Sequence, residues 1–72
     1  MSELYNHVRE LRARERLSQN ELAQRIGASR QTIALIERGD YSPSVVLALK
    51  IAKVFDVKVE DVFSINDKES DS

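Results

Sequence analysis

"ELAQRIGASRQTIALIERG", residues Glu21 to Gly39, decides the fold. A single glycine, Gly27, divides it into two helical segments. The first begins at Ser18-Gln-Asn-Glu21, where Ser18 caps and Glu21, three residues later, completes a capping box. Its apolar face is Leu22, Ala23 and Ile26, and Gly27 ends it as a left-handed C-cap. The second segment takes Ser29 as N-cap, runs to about Arg38 and stops at Gly39-Asp40. On it Ile33, Ile36 and Glu37 share one face, at spacings of three and four. Gln31, Ala34, Leu35 and Arg38 lie opposite, with Arg30 beside them in the first turn. Ile33 and Ile36 are therefore the anchors, and the rest projects outward.

Only three residues separate Ile26 from Arg30. So brief a link forces a steep crossing, not an antiparallel hairpin, and the small Ala23 permits the close approach that it needs. These are the dimensions of a helix-turn-helix. Its second helix is free to enter a major groove, which is wide enough for an α-helix.

The rest of the chain also reads as helix. Leu4, Val8 and Leu11 form one stripe of a first helix from about Leu4 to Arg14. "YSPS" opens a fourth, with Ser42 as cap and Pro43 in the first turn, where its missing N–H costs nothing; it continues to about Phe55. A short fifth helix spans roughly Val59 to Phe63. No run shows strand-like alternation bounded by turn residues, and nothing repeats. We expect an all-α fold, a compact five-helix bundle forming one domain over residues 1–65. The polar acidic tail, residues 66–72, is expected to be disordered.

Composition narrows the possibilities. The chain of 72 residues has no cysteine, so neither a disulfide framework nor a thiolate metal site can staple it. A hydrophobic fraction of 42% supplies one small core. No apolar run approaches the ~20 residues of a membrane span, and the charged N-terminus is no signal peptide, so a cytoplasmic location is expected. The formal net charge of -1 looks wrong for a nucleic-acid binder, but its distribution does not. Residues 1–39 carry seven arginines against five glutamates; residues 40–72 carry four lysines against seven acids. Arginine, the side chain suited to phosphate and guanine, is confined to the first part.

Gln19, Leu22-Ala23, Ile26-Gly27, Ile33, Ile36 and the trailing Glu37-Arg38-Gly39 together resemble the helix-turn-helix of the Cro/CI-type phage repressors, the xenobiotic-response-element family of bacterial regulators. "YSPSVVLALKIAKVFDVKVEDVF" is similar to the fourth and fifth helices of its small stand-alone members. The resemblance covers roughly residues 4–65 and implies the lambda-repressor-like fold. Asp56 departs from it, standing where such proteins commonly have glycine, and we expect strain there without a change of fold.

The resemblance implies several residue roles. Gln19 would clamp a phosphate and brace the third helix, with Ser18 as cap and phosphate neighbour. Arg30 and Gln31 would read bases, arginine suiting guanine and glutamine suiting adenine. Ser29, which caps the helix that carries them, belongs to the same DNA-contacting set. Thr32 would bond a phosphate or its own helix, Ala34 and Leu35 would meet thymine methyls or simply be exposed, and Arg38, on the same face, would also contact DNA. Tyr41 and Ser42, in the following loop, are phosphate candidates. Arg12 and Glu37 would form a structural ion pair joining the first helix to the end of the third.

Catalysis and metal binding find little support. His7 is the only histidine, Ser18, Ser29, Ser42 and Ser44 all have capping or turn explanations, and Gly27 and Gly39 are the only glycines. No enzyme activity, cofactor or metal is expected. Val57, Val59, Val62, Phe63 and Ile65 exceed what a short terminal helix needs for its own packing, so some are expected to form a two-fold dimer interface. A homodimer would present Arg30 and Gln31 to half-sites about one helical turn apart, ~34 Å, on double-stranded DNA. The expected function is sequence-specific transcriptional regulation, as a repressor of an inverted-repeat operator without a ligand-sensing domain. The alternatives are an antitoxin-like module with a protein partner, or a controller of a restriction-modification operon.

Overall fold

The structure is a computed structural model and describes residues 4–65. The tail expected to be disordered lies outside them. In chain order the elements are β1 (Leu4–Asn6), α1 (Val8–Glu15), α2 (Gln19–Ile26), α3 (Arg30–Arg38), α4 (Val45–Phe55), α5 (Val59–Val62) and β2 (Phe63–Ile65). The five helices are those expected.

The two strands correct the expectation of helix alone. Leu4–Asn6, read as the first turn of helix one, pairs antiparallel with the chain's far end: Leu4 opposite Ile65, Tyr5 opposite Ser64, Asn6 opposite Phe63. The reason is local. Asn6 Oδ1 accepts the Val8 N–H at 3.1 Å, which satisfies a first-turn donor from outside and stops the helix growing backward. Phe63, expected to close the fifth helix, has extended angles (φ -124, ψ 142) and begins β2.

Helix α4 also starts later than expected. Its N-cap is Ser44, whose Oγ accepts the Leu47 N–H at 3.1 Å, and Ser42 and Pro43 belong to the preceding loop. Two serines two positions apart offer equivalent caps. The later one leaves a longer connection to lead the chain away from α3, whose end is capped by Gly39 at φ 84.

Leu22, Ile33, Ile36, Ile51, Val8 and Val62 are fully buried and draw on every long element, so one core holds the bundle. Each such side chain contributes about 1.5–3 kcal/mol by leaving water. Val62, expected at a dimer surface, is thus a core residue with 0% exposure and no side-chain surface to offer a partner. Val57, Val59 and Phe63 are half-buried against the same core, while Ile65 is 58% exposed. Asp56 caps α4 at φ 57, the left-handed conformation that its glycine-like position requires.

Candidate nucleic-acid interface

The site is built on two capped helices that meet at a glycine. At the start of α2, Ser18 Oγ accepts the Glu21 N–H at 3.0 Å, and Glu21 Oε1 accepts the Ser18 N–H at 2.8 Å. The Ser18 backbone N–H, and after it the Ser18 hydroxyl, hold the Glu21 carboxyl below its usual range, with the nearby Arg25 adding a smaller push. Gly27 turns the chain at φ 72, and the Ala28 N–H reaches back to the Ala23 carbonyl at 2.9 Å. A Cβ added at Gly27 would meet nothing within 4 Å, so the glycine serves the left-handed angle alone. Ser29 then opens α3, accepting the Thr32 N–H at 3.1 Å, with its hydroxyl 2.9 Å from that of Thr32. Of the two roles read for Thr32, this is the internal one.

Helix α3 is anchored as expected through the buried Ile33 and Ile36. Arg30, Gln31 and Arg38 are exposed. Ala34 and Leu35, expected to project fully, are half-buried, yet neither joins the core. Arg38 Nη2 sits 3.0 Å from Asp40 Oδ2. In the loop beyond, Tyr41 is 45% exposed, and Ser42 shares a groove of about 750 Å³ with Arg38 and β1.

The Arg12–Glu37 pair is present and is bidentate. Arg12 Nε donates to Glu37 Oε2 at 2.6 Å, Nη2 donates to Oε1 at 3.1 Å, and Nη1 donates to the Leu17 carbonyl at 2.9 Å. The hydrogen bond to Glu37 raises the Arg12 pKa above its usual value, aided by charge attraction and opposed by burial. Gln19 joins the same carboxylate, its Nε2 donating to Glu37 Oε1 at 3.1 Å. The bracing role read for Gln19 thus has a direct geometry.

Around this network lies a cleft of about 270 Å³ lined by Arg9, Arg12, Gln19, Ala34, Glu37 and Arg38. It gathers Gln19, Ala34 and Arg38 from the expected face. Arg30, Gln31, Ser29 and Thr32 occupy the other end of α3, and Ser18 stands just before Gln19. Arg9 went unread, although its spacing of three from Arg12 on one helix was a usable signal. Asn6 also went unread; its Nδ2 donates to the Ile36 carbonyl at 2.9 Å, and nothing local in the sequence announces that bond. His7 lies on the surface, with Nδ1 2.6 Å from Glu10 Oε1. Among the described residues there is no group of three metal-ligating side chains, and no helix is long and apolar enough to cross a membrane.

A helix clamped on one side and bare at an Arg-Gln end, set across a glycine turn from a second helix, defines the helix-turn-helix class of DNA-binding domain. Known proteins agree. The helix-turn-helix family model matches residues 8–62. YgzD of Bacillus subtilis, named as an HTH-type transcriptional regulator, is 54% identical over 63 residues, 88% of this chain and 96% of that protein. A protein of Methanocaldococcus jannaschii with the same description is 52% identical over 64 residues, 89% of this chain and 97% of that one. Among solved structures, the restriction-modification controller protein C.AhdI of Aeromonas hydrophila is 36% identical with a TM-score of 0.72, covering 76% of this chain and 83% of that chain. The clp gene regulator ClgR of Corynebacterium glutamicum is 26% identical with a TM-score of 0.71, over 75% of this chain and 57% of that one. This chain belongs to the Cro/CI-type, or xenobiotic-response-element, family of helix-turn-helix transcriptional regulators.

Proposed function

We propose that the protein represses transcription by occupying an inverted-repeat operator as a homodimer, with α3 of each copy in a major groove. The observation that carries this reading is the contrast along α3: Ile33 and Ile36 are buried while Arg30 and Gln31 stand free in solvent. Arg30 pairs with guanine O6/N7 and Gln31 with adenine N6/N7, each discriminating by roughly 1–3 kcal/mol. Ala34 and Leu35 meet thymine methyls. Phosphates fall to Ser18, Gln19 and Arg38, to Tyr41 and Ser42 in the loop, and to Arg9, which the cleft adds to that group. Thr32 and Ser29 shape the first turn that carries the readers.

Dimerisation completes the reading, because a nine-residue helix spans only part of one groove. Ile65 is the most exposed of the C-terminal apolar residues proposed for it, with Val57, Val59 and Phe63 beside the core. Helix α4 adds an exposed apolar row, Val45, Val46 and Leu49. The likeness to C.AhdI supports control of a restriction-modification operon as a second reading.

Selection of duplexes from a random-sequence pool, followed by titration at several salt concentrations, tests the proposal. Log K should fall linearly with log[salt], with the selected duplex bound about 10³-fold or more above random DNA. Equal affinity for both duplexes would refute it. Sedimentation of Ile65→Glu and Leu49→Glu tests the dimer; a wild-type monomer on the selected duplex would remove it.

A further inference from the structure

Asn6 stands where three parts of the molecule meet. Its backbone lies in β1, opposite Phe63 of β2. Its Oδ1 accepts the Val8 N–H at 3.1 Å and so caps α1, since the N-cap residue His7 makes no side-chain cap of its own. Its Nδ2 donates at 2.9 Å to the carbonyl of Ile36, thirty residues away in the last turn of α3. The next amide, His7 N–H, donates to the Val62 carbonyl at 2.8 Å, which pins the strand end to α5.

Apolar packing through Ile33 and Ile36 is non-directional, and it leaves α3 some freedom to turn about its axis or slide. Directional bonds remove that freedom. Two side chains from the N-terminal segment supply them at adjacent residues of α3: Arg12 on the Glu37 carboxylate and Asn6 on the Ile36 carbonyl. Asn6 stands just before α1 and Arg12 in its last turn, so together they resist rotation as well as translation. A tilt of α3 at this anchored end is amplified at Arg30 and Gln31, two turns away.

We propose that Asn6 is a positioning residue for base recognition, holding α3 at the angle from which Arg30 and Gln31 reach base edges. The inference rests on the DNA-binding reading above. It adds that the paired strands, outside the helix-turn-helix, set the accuracy of readout. Loss of the Nδ2 donor loosens the aim of α3 and leaves its charge unchanged. Selective binding therefore weakens while charge-driven binding does not.

The test is Asn6→Ser. A serine hydroxyl still accepts the Val8 N–H in a local turn but is too short to reach the Ile36 carbonyl, and the change adds no charge. Asn6→Ala, which loses both bonds, is the companion. Affinities are measured for a duplex selected by the wild-type protein and for random-sequence duplex, each referred to the folded fraction seen by NMR. Asn6→Ser should weaken the selected duplex about three- to tenfold, the worth of one neutral hydrogen bond, with random-duplex affinity and salt slope unchanged. An unchanged ratio between the duplexes, or an equal loss on both, overturns the proposal. If the wild-type protein prefers no duplex, the DNA-reading function itself fails and this inference falls with it; wild-type preference with an unaltered Asn6→Ser removes the positioning role alone.

Discussion

Gln19 and Arg12 meet on one carboxylate: Gln19 Nε2 donates to Glu37 Oε1 at 3.1 Å, and Arg12 Nε donates to Oε2 at 2.6 Å. A residue at the first turn of α2 and another on α1 thereby hold the last turn of α3. The Glu37 side chain is only 7% exposed, and that of Arg12 is 16% exposed. A pair this deep adds little net stability compared with apolar neighbours, but it cannot lose one member without harm.

Glu37→Ala should therefore destabilise the protein by about 3 kcal/mol, because it leaves the Arg12 guanidinium desolvated and short of acceptors. Urea unfolding at neutral pH measures this. Affinity for random duplex should fall only as far as the folded fraction does, while the selected duplex loses more, because the Glu37 anchor also holds the angle of α3.

Two helix ends give opposite expectations from the same backbone angle. Gly27, at φ 72, has nothing within 4 Å of an added Cβ, so Gly27→Ala should cost about 1 kcal/mol from the left-handed angle alone. Asp56 already sits at φ 57, so Asp56→Gly relieves that strain and should be neutral to stabilising, by up to about 1 kcal/mol. Thermal melts of the two variants should move in opposite directions, or Asp56→Gly should stay level.

Acid should unpick the α2 capping box. The Glu21 carboxyl is held below its usual range by Ser18, so the folded state binds its proton more weakly than the unfolded chain does. The resulting stability is whole above the unfolded glutamate value of ~4.3 and is lost as pH falls through the lower folded value. Between about pH 5 and pH 3 the wild-type melting temperature should drop more steeply than that of Glu21→Gln. Parallel curves would show that the box contributes nothing through ionisation.

Much of this was legible in the residues themselves. Ser18, Glu21, Gly27 and Ser29 mark helix starts and stops because each works through bonds to residues three or four positions away. Ile33 and Ile36 mark the buried side of α3 by spacing alone. The strands were hidden for the converse reason. Three residues are too few for a period of two to stand apart from one of 3.6, and Leu4 completes a helical stripe with Val8 and Leu11 by coincidence. Asn6 was silent because its partner is thirty residues away. Val62 was misread because apolar content does not say which residues face inward, and a four-residue helix has little periodicity to decide it.

On the proposed function, the exposed end of α3 reads bases while the Gln19 end holds the phosphate backbone. Binding selections with wild-type protein, Gln31→Ala and Gln19→Ala test it most directly. Gln31→Ala should relax preference at one base position per half-site, costing about 1–3 kcal/mol on the selected duplex, whereas Gln19→Ala should weaken all duplexes alike and leave the preferred sequence intact. If Gln31→Ala recovered the wild-type sequence at wild-type affinity, α3 would not be reading DNA through this face.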